Sequence, residues 1–247
     1  MIGIVDFGAG NTRSVLRALQ AVGFDAWLAR SPDELAGAQR LVLPGVGAAP
    51  AAGDELRRRG LWEPVREWGR SGRPLLGICL GAQLMLETSE EGPAQGLGLL
   101  AGICRRFPPA GAGGPRSVPH IGWNSVSLRG GAQMEAYFVH GYWLDPEDPQ
   151  VVVGTTEQDG FVFPSLLRAG ALTATQFHPE KSGPAGRALL AAFAQGLLDE
   201  TVPGFAPGVP TDAESGVGAP PRAGRKVSAG VSAPNPRTAR QRDDFPR

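Results

Sequence analysis

Cysteine, histidine, lysine and tyrosine are all scarce: the 247 residues include 2 Cys, 3 His, 2 Tyr and two lysines, Lys181 and Lys226. Two cysteines make no disulfide framework, and nothing marks the chain as secreted, so a Cys79–Cys104 bridge is not expected. The three histidines lack zincin spacing and neither cysteine has a second at ligand distance, which leaves no metal site in view. No apolar run approaches the length that spans a bilayer, and no secretory leader precedes the first strand at Ile2. The expected setting is therefore cytoplasmic, with no membrane contact. Formal net charge is zero. The charge is unevenly placed: residues 201–247 carry seven basic residues against four acids, plus three, which leaves the rest at minus three, too thin a footprint for nucleic-acid binding. A dinucleotide fingerprint is missing too, because Arg13 stands where Gly8-Ala-Gly10 would need a third glycine. Asp6-Phe7-Gly8 is no kinase signature without its companion motifs.

With 42% hydrophobic residues the chain can bury one substantial core. Short apolar runs at Ile2–Asp6, Leu41–Leu43 and Leu75–Ile78 read as buried strands. Val15, Leu16, Ala18, Leu19 and Val22 recur at helical spacing from Asn11, and helix returns over Pro184–Leu198. Such alternation predicts a three-layer α/β fold with a mostly parallel sheet, helices on both faces and functional loops at the strands' carboxyl ends. Residues 97–175 are richer in strand and turn signals. The organisation predicted is a single domain over 1–200 and a Pro/Gly/Ala/Arg-rich disordered tail over 201–247.

The most informative segment is Pro74-Leu-Leu-Gly77-Ile-Cys79-Leu-Gly81-Ala-Gln83, an apolar strand ending in a thiol between glycines and followed by a helix former. It reads as a nucleophile elbow, a sharp strand-to-helix turn that exposes the nucleophile. The free amides of the first helical turn favour thiolate over thiol, and the amide of Leu80 faces a developing oxyanion. A lone cysteine is more often a small buried hydrophobe. Cys104, followed by Arg105 and Arg106, has no elbow and is assigned that role. Leu41-Val-Leu-Pro44-Gly45-Val46-Gly47 is a second strand ending in a glycine turn; the amides of Val46 and Gly47 can complete an oxyanion hole, although a plain turn accounts for the pattern equally well.

A thiolate nucleophile needs a base. His178 stands out in Gln176-Phe-His178-Pro179-Glu180-Lys181, where proline biases the preceding residue to extended backbone and residues two apart then share a side. That places Glu180 beside His178 and gives a Cys79–His178–Glu180 triad: nucleophile, proton carrier, and the carboxylate that fixes the imidazole.

With these pieces assembled the chain resembles the class I, triad-type glutamine amidotransferases, whose fold is flavodoxin-like. Asp6–Asn11, Leu43–Gly47, Gly77–Gln83, His120-Ile-Gly-Trp-Asn124, Tyr137-Phe-Val-His140 and Gln176–Ser182 occur in the order found in the glutaminase subunits of imidazole glycerol phosphate synthases, over about residues 1–200. The resemblance implies hydrolysis of L-glutamine without metal or organic cofactor and transfer of ammonia to a cyclase subunit, in a heterodimer serving histidine biosynthesis. It implies that Gly45, Gln83 and Glu91 hold glutamine, and that Gly141 and Tyr142 border its amino-acid end. It places Asn11, Trp123, Tyr137 and Lys181 on the cyclase-facing side, where Lys181, next to Glu180, would report docking to the site. The chain departs from the family pattern in three places: Phe7 for tyrosine, Gly141 for a small hydroxyl residue, and Ala49-Pro50 for an aromatic.

Val46 adds a regulatory expectation, since a β-branched residue resists positive φ and would keep the Gly45–Val46 peptide wrongly oriented until a liganded partner docks. The rival readings are a stand-alone amidase or γ-glutamyl hydrolase, the glutaminase of another class I synthase, and a non-enzymatic module that only assembles a partner.

Overall fold

A computed structural model describes residues 1–8, 10–92, 94–109 and 117–198. The proposed tail, 201–247, lies outside the described residues. Strands and helices alternate first: β1 (Ile2–Val5), α1 (Thr12–Ala21), β2 (Ala26–Ala29), α2 (Pro32–Ala36), β3 (Arg40–Gly45), α3 (Ala49–Arg58), α4 (Trp62–Arg70), β4 (Leu75–Cys79) and α5 (Leu80–Leu84). A strand-rich stretch follows: β5 (Thr88–Ser89), β6 (Ala94–Gln95), β7 (Gly102–Arg106), β8 (His120–Leu128), β9 (Gln133–His140), β10 (Tyr142–Pro146), β11 (Val152–Gln158), β12 (Phe161–Ala169) and β13 (Leu172–Thr175). A 3-10 turn at Pro179–Lys181 leads into α6 (Gly183–Gln195).

Among the described residues the main sheet has nine strands in the order β2-β1-β3-β4-β13-β12-β11-β8-β9, and β10-β7-β5-β6 form a smaller one. The sheet is mixed. From β2 to β13 all neighbours are parallel, and from β13 to β9 all are antiparallel. The parallel half carries the elbow. There the strand order reverses between β1 and β3, which opens a crevice at the carboxyl ends.

Both faces of that half are covered, which is why β1, β4 and the middle of β3 are apolar and buried. Along β3, Leu41 and Leu43 join one apolar cluster with Leu56 of α3 and Val65 and Trp68 of α4. Val42, pointing the other way, joins Leu76, Ile78, Val15 and Leu19 of α1, and Leu189, Leu190 and Phe193 of α6. Each such aliphatic side chain, fully buried, contributes about 1.5–3 kcal/mol. Helix α6 is closed by Gly196 in the left-handed region at φ 81°. Asn11 precedes α1 but caps nothing with its side chain; that amide is used elsewhere.

Candidate active site

Cys79 ends β4 with φ 52° and ψ −108° and is buried. A side chain there is strained, and sheet and helix on either side hold the turn in place. The glycines flanking it do not carry the strain themselves. Neither Gly77 nor Gly81 adopts a positive φ; both are needed for close approach. A Cβ at Gly81 would sit 1.7 Å from the Leu43 carbonyl oxygen, and one at Gly77 would lie 2.8 Å from Ala82 Cα. The glycines let α5 press onto β3 and β4, and the strain falls on the cysteine.

Pairing of β3 with β4 sets Gly45 opposite Cys79, so the turn holding Val46 and Gly47 lies at the same sheet edge as the Leu80 amide. Gly45 is packed so closely that an added Cβ would meet Leu80 Cβ at 2.9 Å. Gly47 takes φ 96°, whereas Val46 is not at positive φ and is exposed.

His178 Nδ1 lies 2.8 Å from Glu180 Oε1, with both side chains fully buried. The contact agrees with the expectation, but its cause is different: His178 is extended and the chain then enters the 3-10 turn, which swings Glu180 back under the ring. Strand β9 holds this segment. The Tyr137 carbonyl accepts from His178 N at 2.9 Å, and Ser182 Oγ accepts from Tyr137 N at 3.0 Å while donating to the His178 carbonyl at 2.6 Å. Asn11 Nδ2 donates to Glu180 Oε1 at 3.0 Å. Expected on the partner-facing side, Asn11 also touches the carboxylate.

Burial is the largest influence on His178 and disfavours its cation. The Cys79 and Glu180 side chains together outweigh it and raise the imidazole pKa to about 10. His178 Nε2, the nitrogen opposite the Glu180 contact, is buried and makes no hydrogen bond. Cys79 Sγ donates to the Val139 carbonyl at 3.7 Å and accepts from Gln176 Nε2 at 3.8 Å. Cys104 is free and fully buried, and burial pushes its thiol well above the ordinary range, as befits a packing residue. Among the described residues no group of three or more His, Cys, Asp or Glu is placed to hold a metal ion, and no helix is long and apolar enough to cross a membrane.

The residues assigned to glutamine sit on several elements, Gly45 opposite Cys79 and Gln83 on α5. Gln83 is buried, its Nε2 donating to Gln176 Oε1 and to the Tyr142 carbonyl, both at 3.2 Å. Gln176, which sequence reasoning overlooked, thus links Gln83 to the thiol. Glu91 Oε2 accepts from Ala49 N at 2.7 Å, tying the turn after β5 to the start of α3, where Pro50 occupies the first turn. Gly141 has open space around it; the nearest atom an added Cβ would meet is Val118 Cγ1 at 3.9 Å. Tyr142 OH accepts from Arg106 at 2.6 Å. Phe7 is fully buried in the core, where a phenol would need a partner.

Trp123 and Tyr137 are paired across β8 and β9, their rings 6.1 Å apart and edge-on, and Lys181 Nζ lies 5.6 Å from the Tyr137 ring. Trp123 and Ile121, alternate residues of β8, are exposed at 58% and 61%. These residues form one surface next to Glu180, and Asn11 reaches inward from the same side.

A family model for class-I glutamine amidotransferases matches residues 3–196. The HisH subunit of imidazole glycerol phosphate synthase from Streptococcus sanguinis is 43% identical over 209 residues, covering 81% of this chain and 99% of that protein. The HisH subunit from Geobacillus kaustophilus is 45% identical over 199 residues, covering 77% and 94%. Among solved structures, a crystal structure of a glutamine amidotransferase superposes with a TM-score of 0.63 at 24% identity, covering 78% of this chain and 98% of that one. The PurLQS structure from Thermotoga maritima gives 0.58 at 19% identity, covering 80% and 96%. These last two bear on the fold alone. Family model and relatives agree: the chain belongs to the class-I glutamine amidotransferases, within the HisH subunits of imidazole glycerol phosphate synthases.

Proposed function

We propose that this chain is the glutaminase subunit of an imidazole glycerol phosphate synthase, hydrolysing L-glutamine and delivering ammonia to a cyclase subunit in histidine biosynthesis. The observation that carries the chemistry is the buried His178–Glu180 contact at 2.8 Å, with His178 Nε2 unbonded and a cysteine on a strained turn close by. Cys79 gives its thiol proton to His178 and attacks the side-chain amide carbon of glutamine, and the carbonyl electrons move onto oxygen. The amides of Leu80, Val46 and Gly47 stabilise that oxyanion. His178 Nε2 passes the proton to the departing nitrogen, the C–N bond breaks, and a γ-glutamyl thioester remains. Water then attacks the thioester, His178 takes its proton and returns it to sulfur, and glutamate leaves. Glu180, held by Asn11, keeps the imidazole oriented and favours its cation. Gly45, Gln83, Glu91, Gly141 and Tyr142 shape the substrate's surroundings.

The surface formed by Trp123, Tyr137 and Lys181 with exposed Ile121 supports docking of the cyclase beside the triad. Val46 keeps idle turnover low. Val46→Gly is expected to raise glutamate release by the unpartnered chain severalfold; unchanged release counts against the gate. The reading as a whole is tested by glutamate release from the purified chain, alone and with the cyclase subunit and its nucleotide ligand, with Cys79→Ala as control. Strong stimulation that vanishes in Cys79→Ala is expected. Equal activity without the partner favours a free amidase, and no activity in any mixture favours a binding module.

A further inference from the structure

Two of the motifs carrying the family resemblance, His120–Asn124 and Tyr137–His140, contain histidines that the triad leaves unused. In the structure they are directly paired, His120 opposite His140 across β8 and β9, and both are buried. His140 Nδ1 lies 2.6 Å from the Tyr142 carbonyl oxygen, which can only accept, so Nδ1 carries the proton. In a neutral ring Nε2 is then an acceptor. His120 Nδ1, 3.1 Å away, is its donor, and His120 Nε2 in turn accepts from Asn124 Nδ2 at 3.3 Å. Asn124 also donates to the Glu157 carbonyl at 2.8 Å.

Every hydrogen bond in this run has one self-consistent direction, provided both rings stay neutral. Their surroundings keep them so. His120 stacks on Phe138 at 4.7 Å, and His140 packs against Phe107 and Phe163 at 5.3 and 5.4 Å. Burial pushes the pKa of His120 down to about 4 and that of His140 down to about 3. The far end of the run lies in the site: the Tyr142 carbonyl also accepts from Gln83 Nε2, Gln83 is bonded to Gln176, and Gln176 to Cys79 Sγ.

We propose that His120 and His140 are positioning residues of the glutaminase site: the hydrogen-bonded pair fixes the Tyr142 carbonyl, and with it the Gly141–Tyr142 segment and the Gln83 amide, relative to the β8–β9 hairpin that carries Trp123 and Tyr137. This inference rests on the glutaminase reading. It assigns the two histidines a share in glutamine binding and makes the hairpin that faces the partner the mechanical support of the substrate wall.

Substitutions that copy one ring nitrogen at a time test it. Asn in place of His140 offers an amide where Nδ1 was and can still donate to the Tyr142 carbonyl. Gln reaches the Nε2 position and keeps only the His120 contact. In glutaminase assays of the complex with the cyclase subunit, His140→Gln is expected to raise KM for glutamine about tenfold with kcat within about threefold of wild type. His140→Asn is expected to recover most of that loss. His120→Asn, which keeps the donor to His140, and His120→Gln, which does not, should repeat the contrast in weaker form and stand in if a His140 variant fails to fold. Equal KM changes in the Asn and Gln variants, or none in either, overturn the proposal. A wild-type complex that releases no glutamate overturns the glutaminase reading instead, so the two failures are separable.

Discussion

Cys79 holds a backbone conformation that its own side chain disfavours, so part of the stability supplied by neighbouring strands is spent on presenting a thiol. Glycine accepts φ 52°, ψ −108° without that cost. Cys79→Gly is therefore expected to be more stable than Cys79→Ala by about 1 kcal/mol or more in denaturant titrations, while both are inactive; equal stabilities would show the turn to be relaxed. Glu180 is one of the groups that raise the His178 pKa, so Glu180→Gln should lower it. A group whose pKa is raised on folding stabilises fully below its unfolded value, near 6.5, and that contribution fades as pH climbs toward about 10. The stability gap between wild type and Glu180→Gln should accordingly be widest at about pH 6 and narrow toward about pH 10, measured by denaturant melts across that range. A constant gap would show that Glu180 acts through packing alone. The His178–Glu180 adjacency is legible in the sequence because a His-Pro-Glu unit permits few arrangements. The Asn11 contact is not, because it joins residues 169 positions apart and depends on how α1 meets the turn after β13.

The elements that carry the site are short, and their closeness is set by glycine. Helix α5 spans only five residues, so the first-turn amides next to Cys79 matter more than any helix dipole. Gly81→Ala would drive a methyl group into the Leu43 carbonyl and is expected to cost more than about 3 kcal/mol. Gly47→Ala, at φ 96° but in open space, should cost only about 1–2 kcal/mol. Chemical denaturation of the two variants checks the ranking, and a reversed order would contradict the packing role given to Gly81. Strands buried on both faces are readable as apolar runs, as at Leu41–Leu43 and Leu75–Ile78. The antiparallel half is only partly readable, since its register depends on pairings such as His120 with His140 that no local pattern announces. The short β5 and β6 and the 3-10 turn after His178 are beyond reach for the same reason: tertiary contacts, not propensity, hold them.

At the scale of the molecule, the parallel half carries Cys79, the proposed nucleophile, and the antiparallel half supplies its surroundings. The turn after β13 brings His178, the proposed base, β9 anchors it through Tyr137 and Ser182, and the β8–β9 hairpin presents an exposed apolar and aromatic surface beside the Glu180–Lys181 turn. A partner bound there touches the strand that holds His178 and the strand that sets Tyr142, which is a physical route from docking to chemistry. The most direct measurement is labelling of the chain by a diazoketone analogue of glutamine, with peptide mapping of the modified residue, with and without the liganded cyclase subunit. Expected is a covalent adduct on Cys79 and none on Cys104, formed faster with the partner and strongly slowed in His178→Ala. Labelling on Cys104, or a rate on Cys79 indifferent to both His178 and the partner, would contradict the triad and its coupling to docking.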